Sequence, residues 1–486
     1  MWLAPSLAKN SRGGHLNPLS ESILKTKQLS QLEAIDRNRR NRYIFAVAFV
    51  AAIGGFLFGF DLSLIGAANI YLKDQFHLTE EMLGFTSASA ALGCVFGPFL
   101  GGWLSDKIGR ERTMMLAALL LAAGAIMTAI APDIFLFNAF RIVGGVGIGI
   151  CSVASPLYIA EIAPAKMRGK LGLTYQLAIV VGSTAAPLAA YAILQVFPEA
   201  TAWRWMFASQ MAVIVLFIPF LFLIPPSPRW LADRGRFDDA LDVLRKVHGD
   251  EVAADELDEI KASLSTETGG FRELIQPGIR YALLIGILLA FFNNWTGWSS
   301  MASYIPILFE MAGVAQRHIA ILQFSFTYLA MALVTMASMW MIDRFGRRPL
   351  WIFASLLMAG ITGVTGLVFA FQIKGAFLLL VIILCTVPHG LALGALPWLM
   401  MSEIFPNRIR AKAVAVTTTF LWLMIFSAAQ FFPMLIGGSQ RMIGSPAGAF
   451  WLFSLICLAA ALFGWRMMPE TKGRSLENIA DSWRRH

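Results

Sequence analysis

The chain has 486 residues, 57% hydrophobic and 14% charged, with a formal net charge of +9 and a mean hydropathy of +0.65. That balance excludes an ordinary soluble globule, and the length is enough for about twelve membrane spans with their loops. In a polar chain the positive charge would point to nucleic acid; here it is better explained by Lys and Arg gathered on one membrane face.

Taken in order, residues 1–42 are polar, show no cleavable signal and end in Arg37, Arg39, Arg40 and Arg42, so a cytoplasmic N-terminal tail is expected. The first apolar run, about 43–66, contains Gly54-Gly55-Phe56-Leu57-Phe58-Gly59-Phe60-Asp61. Runs at about 83–104, 113–130, 134–158, 169–195 and 204–225 complete a six-helix bundle, 43–225. A polar segment, 226–279, follows. Within it Phe237–Val247 and Val252–Leu264 alternate apolar and charged residues at helical spacing, which suits short amphipathic helices in a cytoplasmic linker or gate. Six more spans, at about 280–309, 318–342, 349–371, 376–402, 411–436 and 446–467, form a second bundle, 280–467. Residues 468–486 are left as a cytoplasmic C-terminal tail. The expected fold class is an all-α membrane protein with twelve transmembrane helices in two six-helix halves.

The loops at 105–112, 160–170, 343–348 and 403–412 are basic, while the intervening loops carry few positive charges, such as Lys73, Lys374 and Arg441. The positive-inside rule then places both termini in the cytoplasm, in agreement with an even number of spans. Asp74, Glu80, Glu81 and Arg441 read as solvated loop charges. The four cysteines, Cys94, Cys151, Cys385 and Cys457, lie in apolar runs without metal or CxxC spacing and read as packing residues.

Asp61 is the charge that needs explaining. An ionised carboxylate inside a span costs roughly 2.5–3.5 kcal/mol on insertion scales. It therefore either marks an ion path with a partner or caps a helix end at the interface. The candidate partner is Arg141, the intramembrane charge in the run Phe135–Ile150.

The halves repeat each other. Gly102-Trp-Leu-Ser-Asp106-Lys-Ile-Gly109-Arg110 follows the second span, and Met339-Trp-Met-Ile-Asp343-Arg-Phe-Gly346-Arg347-Arg348 follows the eighth. Ala160-Glu161-Ile-Ala-Pro164-Ala-Lys-Met-Arg168 follows the fourth span, and Ser402-Glu403-Ile-Phe-Pro406-Asn-Arg-Ile-Arg410 the tenth. Two parallel repeats are a transporter layout, with the solute site between them near mid-membrane. The charges Asp106, Arg110, Glu161, Arg168, Asp343, Arg347, Glu403 and Arg410 suit conformational locks: they can bind loops to free helix ends in one orientation and release them in another.

Candidate solute-binding residues are polar groups in otherwise apolar runs: Gln176, Asn293, Asn294, Ser299 and His389, with Trp398 as a stacking face. Each has a structural alternative. Gln176 can be interhelical glue, Trp398 packing, and His389 an interhelical hydrogen-bonding group instead of a titratable pocket residue. Asn293, Asn294, Thr296 and Ser299 form a cluster that hydrocarbon would not tolerate on a lipid face, and Gly297 and Pro306 let that helix bend. Asn294-Trp-Thr has the form of a glycosylation sequon but lies inside a span.

From about residue 43 to 480 these motifs resemble the sugar porter family of the major facilitator superfamily. The resemblance is carried by the Gly-Gly-Phe-Leu-Phe-Gly-Phe-Asp61 opening, the two Asp…Gly-Arg loops, Tyr158-Ile-Ala-Glu161-Ile-Ala-Pro164, Gln176-Leu-Ala-Ile-Val-Val-Gly182, Pro225-Pro-Ser-Pro-Arg229-Trp-Leu, Pro397-Trp398 and Pro469-Glu-Thr-Lys-Gly-Arg-Ser-Leu-Glu477. It implies alternating-access transport of monosaccharides or polyols, by proton symport or facilitated diffusion. Asp61 and Arg141 match the positions that proton-coupled members use, which favours symport. Gln176 and Trp398 match sugar-binding positions. The seventh span departs from the family's Gln-Gln-x-Ser-Gly-x-Asn-x-x-x-Tyr-Tyr: it reads Asn293-Asn294-Trp-Thr-Gly297-Trp-Ser299-Ser-Met-Ala-Ser303-Tyr304. A different sugar, a polyol or a small organic acid is the alternative solute, and a facilitative sugar carrier the alternative mechanism.

An enzyme is not expected: His15, His77, His248, His318, His389 and His486 are scattered, with no HExxH or comparable pattern. Nor do the short tails suggest a nutrient sensor. No cofactor, metal or nucleic acid is expected. The partners are a small solute, a proton and the bilayer, with a monomer as the working assumption. The expected location is the cell membrane (the inner membrane in a Gram-negative bacterium).

Overall fold

A computed structural model describes residues 18–164, 167–264, 270–406 and 409–472, without the side chains of 18–37, 168, 169, 271, 343, 402 and 411. Hydrocarbon offers the backbone no hydrogen bonds, so apolar runs of this length satisfy their own N–H and C=O groups as helices. Among the described residues the first half comprises α1 (Pro18–Gln75), α2 (Glu80–Ile108), α3 (Arg110–Ile130), α4 (Ile134–Ile162), α5 (Arg168–Leu194) and a sixth span broken at Ser209 into α6 (Glu199–Ala208) and α7 (Gln210–Leu221). The linker carries α8 (Pro228–Asp233), α9 (Phe237–His248), α10 (Asp250–Leu264) and a 3-10 turn at Phe271–Ile275.

The second half begins with a seventh span in three pieces, α11 (Ile279–Trp295), α12 (Trp298–Ala302) and α13 (Ile305–Met311), followed by α14 (Arg317–Phe345) and α15 (Arg347–Ala370). The tenth span is also broken. It runs through α16 (Ala376–Leu384), α17 (Thr386–Pro388), a π turn at His389–Leu393 and α18 (Ala395–Glu403), before α19 (Arg410–Ile443) and α20 (Ala447–Arg466). Eleven of the described helices are long and apolar enough to cross a membrane, and Ile279–Trp295 is a shorter apolar helix.

Two boundaries differ from expectation. α1 is continuous from Pro18, so part of the stretch read as a tail extends the first helix outward, and the span ends at Gln75 instead of near 66. Hydropathy marks only the part of a helix that meets lipid, not where the helix stops. The seventh span breaks at Gly297, whose φ is +112°, a conformation that L side chains rarely adopt.

The opening motif is explained by packing. A Cβ on Gly59 would lie 2.0 Å from the Ile179 carbonyl oxygen, and one on Gly182 2.1 Å from that of Phe56. Only hydrogen at both positions lets α1 and α5 lie backbone against backbone. In the linker, Ala240, Val243, Leu244 and Val247 form one buried stripe on α9. They share a core with Tyr158, Ile159 and Ile162 of α4, so the linker helices dock on the first half.

The halves meet along α2 with α19 and α5 with α14. On the face opposite the basic loops they are tied across the interface. Asn69 Nδ2 donates to the Ser303 carbonyl at 2.8 Å, Gln430 Nε2 donates to the Glu81 carbonyl at 3.1 Å, and Arg441 lies 3.0 Å from Glu80. Arg317 pairs with Asp74. Of the charges read as solvated, Asp74, Glu80 and Arg441 are thus at least partly exposed but paired between the halves; the sequence cannot show partners hundreds of residues apart.

Candidate functional site

Asp61 and Arg141 are in contact. Both are buried, at 5% and 3% exposure, and Arg141 Nη1 lies 2.5 Å from Asp61 Oδ1. α1 supplies the carboxylate, α4 the guanidinium, and α7 a third member: Gln210 Nε2 donates to the same Oδ1 at 2.8 Å. The Arg141 guanidinium also stands 5.2 Å from the Phe207 ring centroid. Asp61 Oδ2 and Arg141 Nε and Nη2 are buried with no hydrogen-bond partner among the described residues. Beside them is a cavity of about 10 Å³, lined in part by Thr128, Gly124 and Gln210, at the margin of what one water molecule needs. The cluster concentrates both donors on one carboxylate oxygen and leaves the other bare.

Gln210 was legible but is absent from the sequence-based candidates. It is a lone amide in an apolar run, the same signal that points to Gln176.

The repeated loops build matching clusters. In the first half the Arg110 guanidinium lies 2.8–2.9 Å from both Glu161 oxygens, and Ser227 Oγ donates to Glu161 Oε2 at 2.5 Å. In the second, Arg347 Nη2 donates to Glu403 Oε1 at 3.0 Å, and Thr471 Oγ1 to Glu403 Oε2 at 2.5 Å. Each half therefore takes a hydroxyl from the segment that leaves it, Pro225-Pro226-Ser227 or Pro469-Glu470-Thr471. Asp106 is exposed and 3.4 Å from Arg110. The backbone carbonyls at the end of α2 are satisfied by Trp230 Nε1 (3.0 Å, Asp106) and Arg234 Nη2 (2.8 Å, Asp106; 3.0 Å, Lys107). Arg410 donates to the Phe405 carbonyl from Nε and Nη2. The side chains of Arg168 and Asp343 lie outside the described residues.

Both Gly109 and Gly346 end a helix at φ of +96° and +91°. A Cβ on Gly346 would also lie 2.6 Å from Glu470 Oε2. Glu470 accepts from the backbone N–H groups of Arg347 and Arg348 at 3.1 and 3.0 Å, an anion on the N-terminus of α15. Partial burial alone would raise its pKa. The N–H groups of Lys472, Arg347 and Arg348 and the Arg347 charge outweigh that and hold it below the ordinary value. A depressed carboxylate pKa stabilises docking at neutral pH, and the stabilisation is lost as pH falls through the depressed value, below the ordinary glutamate range. Hydrogen exchange at Met468–Lys472 should therefore accelerate, relative to its intrinsic rate, only once the pH has fallen below the ordinary glutamate value; Glu470→Gln should abolish that step. A wild-type step near neutrality would refute the assignment.

The solute-site candidates are not all in one place. Gln176 is exposed and lines a cavity of about 580 Å³ between α5 and α14, with Thr174, Thr184, Leu329, Thr335 and Met336 among the other walls. That is the size of a small-molecule site, and mostly apolar with a few polar groups. Thr335, across from Gln176, is a wall residue the sequence did not single out. Trp398 is 37% exposed. Asn293 and Asn294 are buried and occupied by backbone. Asn293 Nδ2 donates to the Leu393 and Gly394 carbonyls at 2.7 and 3.1 Å, and Asn294 Nδ2 to the Ala290 carbonyl at 3.0 Å. Ser299 Oγ donates to the Asn293 carbonyl at 3.4 Å. Asn293 thus joins the broken seventh span to the π turn of the tenth. His389, in that turn, is buried with Nδ1 unpartnered, its ring 6.0 Å from that of Trp298. The four cysteines are buried and free.

Compared with known proteins, residues 47–483 match a family model described as sugar (and other) transporter. The chain is 36% identical over 469 residues to the arabinose-proton symporter of Bacillus subtilis (strain 168), covering 94% of this chain and 98% of that protein. It is 34% identical over 474 residues to the D-xylose-proton symporter of Escherichia coli (strain K12), covering 91% and 96%. Among solved structures, the inward-open conformation of the xylose transporter XylE from E. coli aligns with a TM-score of 0.79 at 32% identity, over 91% of this chain and all of that one. The XylE proton:xylose symporter bound to 6-bromo-6-deoxy-D-glucose aligns with a TM-score of 0.76 at 33% identity, over 91% and 100%.

Proposed function

Because the chain belongs to the family of sugar and other transporters, we propose that it is a proton-coupled symporter of a monosaccharide, working by alternating access. It is a multi-pass membrane transporter and not an enzyme. The basic loops and both termini face the cytoplasm, the membrane is the cell membrane, and one chain suffices, since the ion pair and the cavity are built within it.

The observation that carries the coupling is the buried Asp61–Arg141 contact at 2.5 Å with Oδ2 left bare. When the halves rock and the guanidinium withdraws, a buried carboxylate without a counter-charge is costly and takes up a proton instead. The described ties between the halves on the outer side, Arg317–Asp74 and Arg441–Glu80, support an inward-facing state in which the proton has left. The cavity between α5 and α14 supplies a solute path at the interface, with Gln176 on its wall; Trp398, exposed but not on that wall, is the candidate aromatic face for a sugar ring. In this state Asn293, Asn294 and Ser299 hold the broken helices together. They reach solute only as those helices move, and His389 sits behind Trp298. Glu161–Arg110 and Glu403–Arg347 each lie within one half and lock its cytoplasmic loops to its helix ends as the halves rock.

The test is uptake of labelled D-xylose, L-arabinose and D-galactose into proteoliposomes with and without an inward proton gradient. Accumulation beyond equilibrium for at least one sugar is expected. Equilibration alone, unaffected by the gradient, would exclude symport.

Gln210 positions the carboxylate. Gln210→Leu removes one of its two donors but no charge, so uptake should persist with its pH optimum displaced. Gln210→Asn, one methylene shorter, should only partly restore it. An unchanged pH profile in Gln210→Leu would remove Gln210 from the proton site.

A further inference from the structure

His248 is the last residue of α9, and its side chain is 6% exposed. Nδ1 faces the Glu256 carboxylate of α10, and Nε2 lies 3.2 Å from the backbone carbonyl of Ile162, the last residue of α4. Both partners are acceptors. A neutral imidazole carries one N–H and one lone pair, so it can satisfy only one of them. Both contacts form together only if the site holds one more proton. That proton sits either on the imidazole as imidazolium or on Glu256, which then donates to Nδ1 while Nε2–H donates to Ile162. The position reinforces the demand, because the carbonyl end of α4 is the negative end of its helix dipole.

Among the described residues, four charged groups bear on the ring. Arg40 of α1 lies with its guanidinium carbon 3.2 Å from where a Cβ on Gly249 would be, and opposes a positive ring. Arg245 on α9 is already paired with Asp242 and Asp250. Glu161, next to Ile162 on α4, is paired with Arg110. Glu256 is the carboxylate in contact.

We propose that His248 is a proton-operated clamp that fastens the linker helices α9 and α10 to the end of α4, one residue from the Glu161 lock. The docked linker binds one proton more than the released one, so docking tightens as the pH on that face falls and loosens as it rises. The released imidazole titrates as in water, at about pH 6.5, so docking begins to loosen as the pH rises past that value. Under the orientation and symport reading above, each cycle releases a proton on this face. The clamp therefore senses the ion the carrier delivers. Its purpose rests on that reading; its chemistry does not.

The test is hydrogen exchange of the 237–264 segment in the full-length protein in nanodiscs, expressed as protection relative to intrinsic rates. In the wild type, protection should fall from about pH 6 to about pH 8, by up to about tenfold per unit for one linked proton. His248→Leu should be weakly protected at both pH values. His248→Arg, with a permanent charge and donors on both sides, should be protected at both. A wild-type segment whose protection is independent of pH, or a pH step that survives in His248→Leu or in His248→Arg, would overturn the clamp. Proton-driven sugar uptake by the same preparation separates the two readings. A pH step in a protein that fails to accumulate sugar leaves the clamp standing and removes symport; uphill uptake without the step does the reverse.

Discussion

Asp61→Asn should abolish accumulation of sugar against its gradient while leaving exchange across the membrane intact. One pH unit is worth about 1.4 kcal/mol per proton. At one proton per sugar the wild type should therefore concentrate its solute about tenfold on that gradient, and the variant should stop near unity. The substitution is nearly isosteric. The amide oxygen can still accept from Arg141 and Gln210, which both reach Oδ1 in the wild type, so the helices stay in register. What is lost is the ability to take a proton, and with it the link between ion and solute. Counterflow, in which labelled sugar enters against unlabelled sugar inside, needs no net proton movement and should survive. Accumulation by Asp61→Asn equal to the wild type would end the coupling role of this carboxylate. Loss of counterflow as well would mean that the pair holds the bundle together and does not switch it.

The pair was legible from sequence because hydrocarbon makes a charge conspicuous; two such charges in the first half invite pairing. Gln210 carries the same signal in weaker form, because it lies at the start of α7, beside a break at Ser209 that hydropathy does not reveal. The seventh-span amides show the opposite limit. The polarity of Asn293 and Asn294 points to a solute-facing role, whereas in this conformation their NH₂ groups donate to backbone carbonyls of the broken helices. A sequence states that an amide needs a partner, not that a π turn five residues long will supply it. The repeats revealed where Glu161 and Glu403 sit, but not that Ser227 and Thr471 complete them in the same way. That correspondence is carried by two short Pro-containing segments too brief to align alone.

Glu161→Gln should be the most destabilising of the substitutions in these loops. It leaves the Arg110 guanidinium without its main counter-charge, and both side chains are nearly buried, at 9% and 7% exposure. Removing one partner of a buried pair costs about 3–5 kcal/mol, because the other charge stays behind. The second-half equivalent is wetter, with Arg347 and Glu403 at 14% and 21%, so Glu403→Gln should cost distinctly less. Water can partly replace the lost partner there, which moves the pair toward the roughly 1 kcal/mol or less that fully exposed pairs are worth. The comparison is informative because the two clusters share their described chemistry, a guanidinium and a hydroxyl on one glutamate, and differ in burial. Thermal unfolding in one detergent, with double-mutant cycles through Arg110→Met and Arg347→Met, measures both couplings on one scale. A larger coupling in the first half fits a half whose linker is fastened to the same glutamate through Ser227. Equal couplings would show that burial does not set the strength of these locks, and the asymmetry between the halves would then have to be sought in the linker contacts themselves.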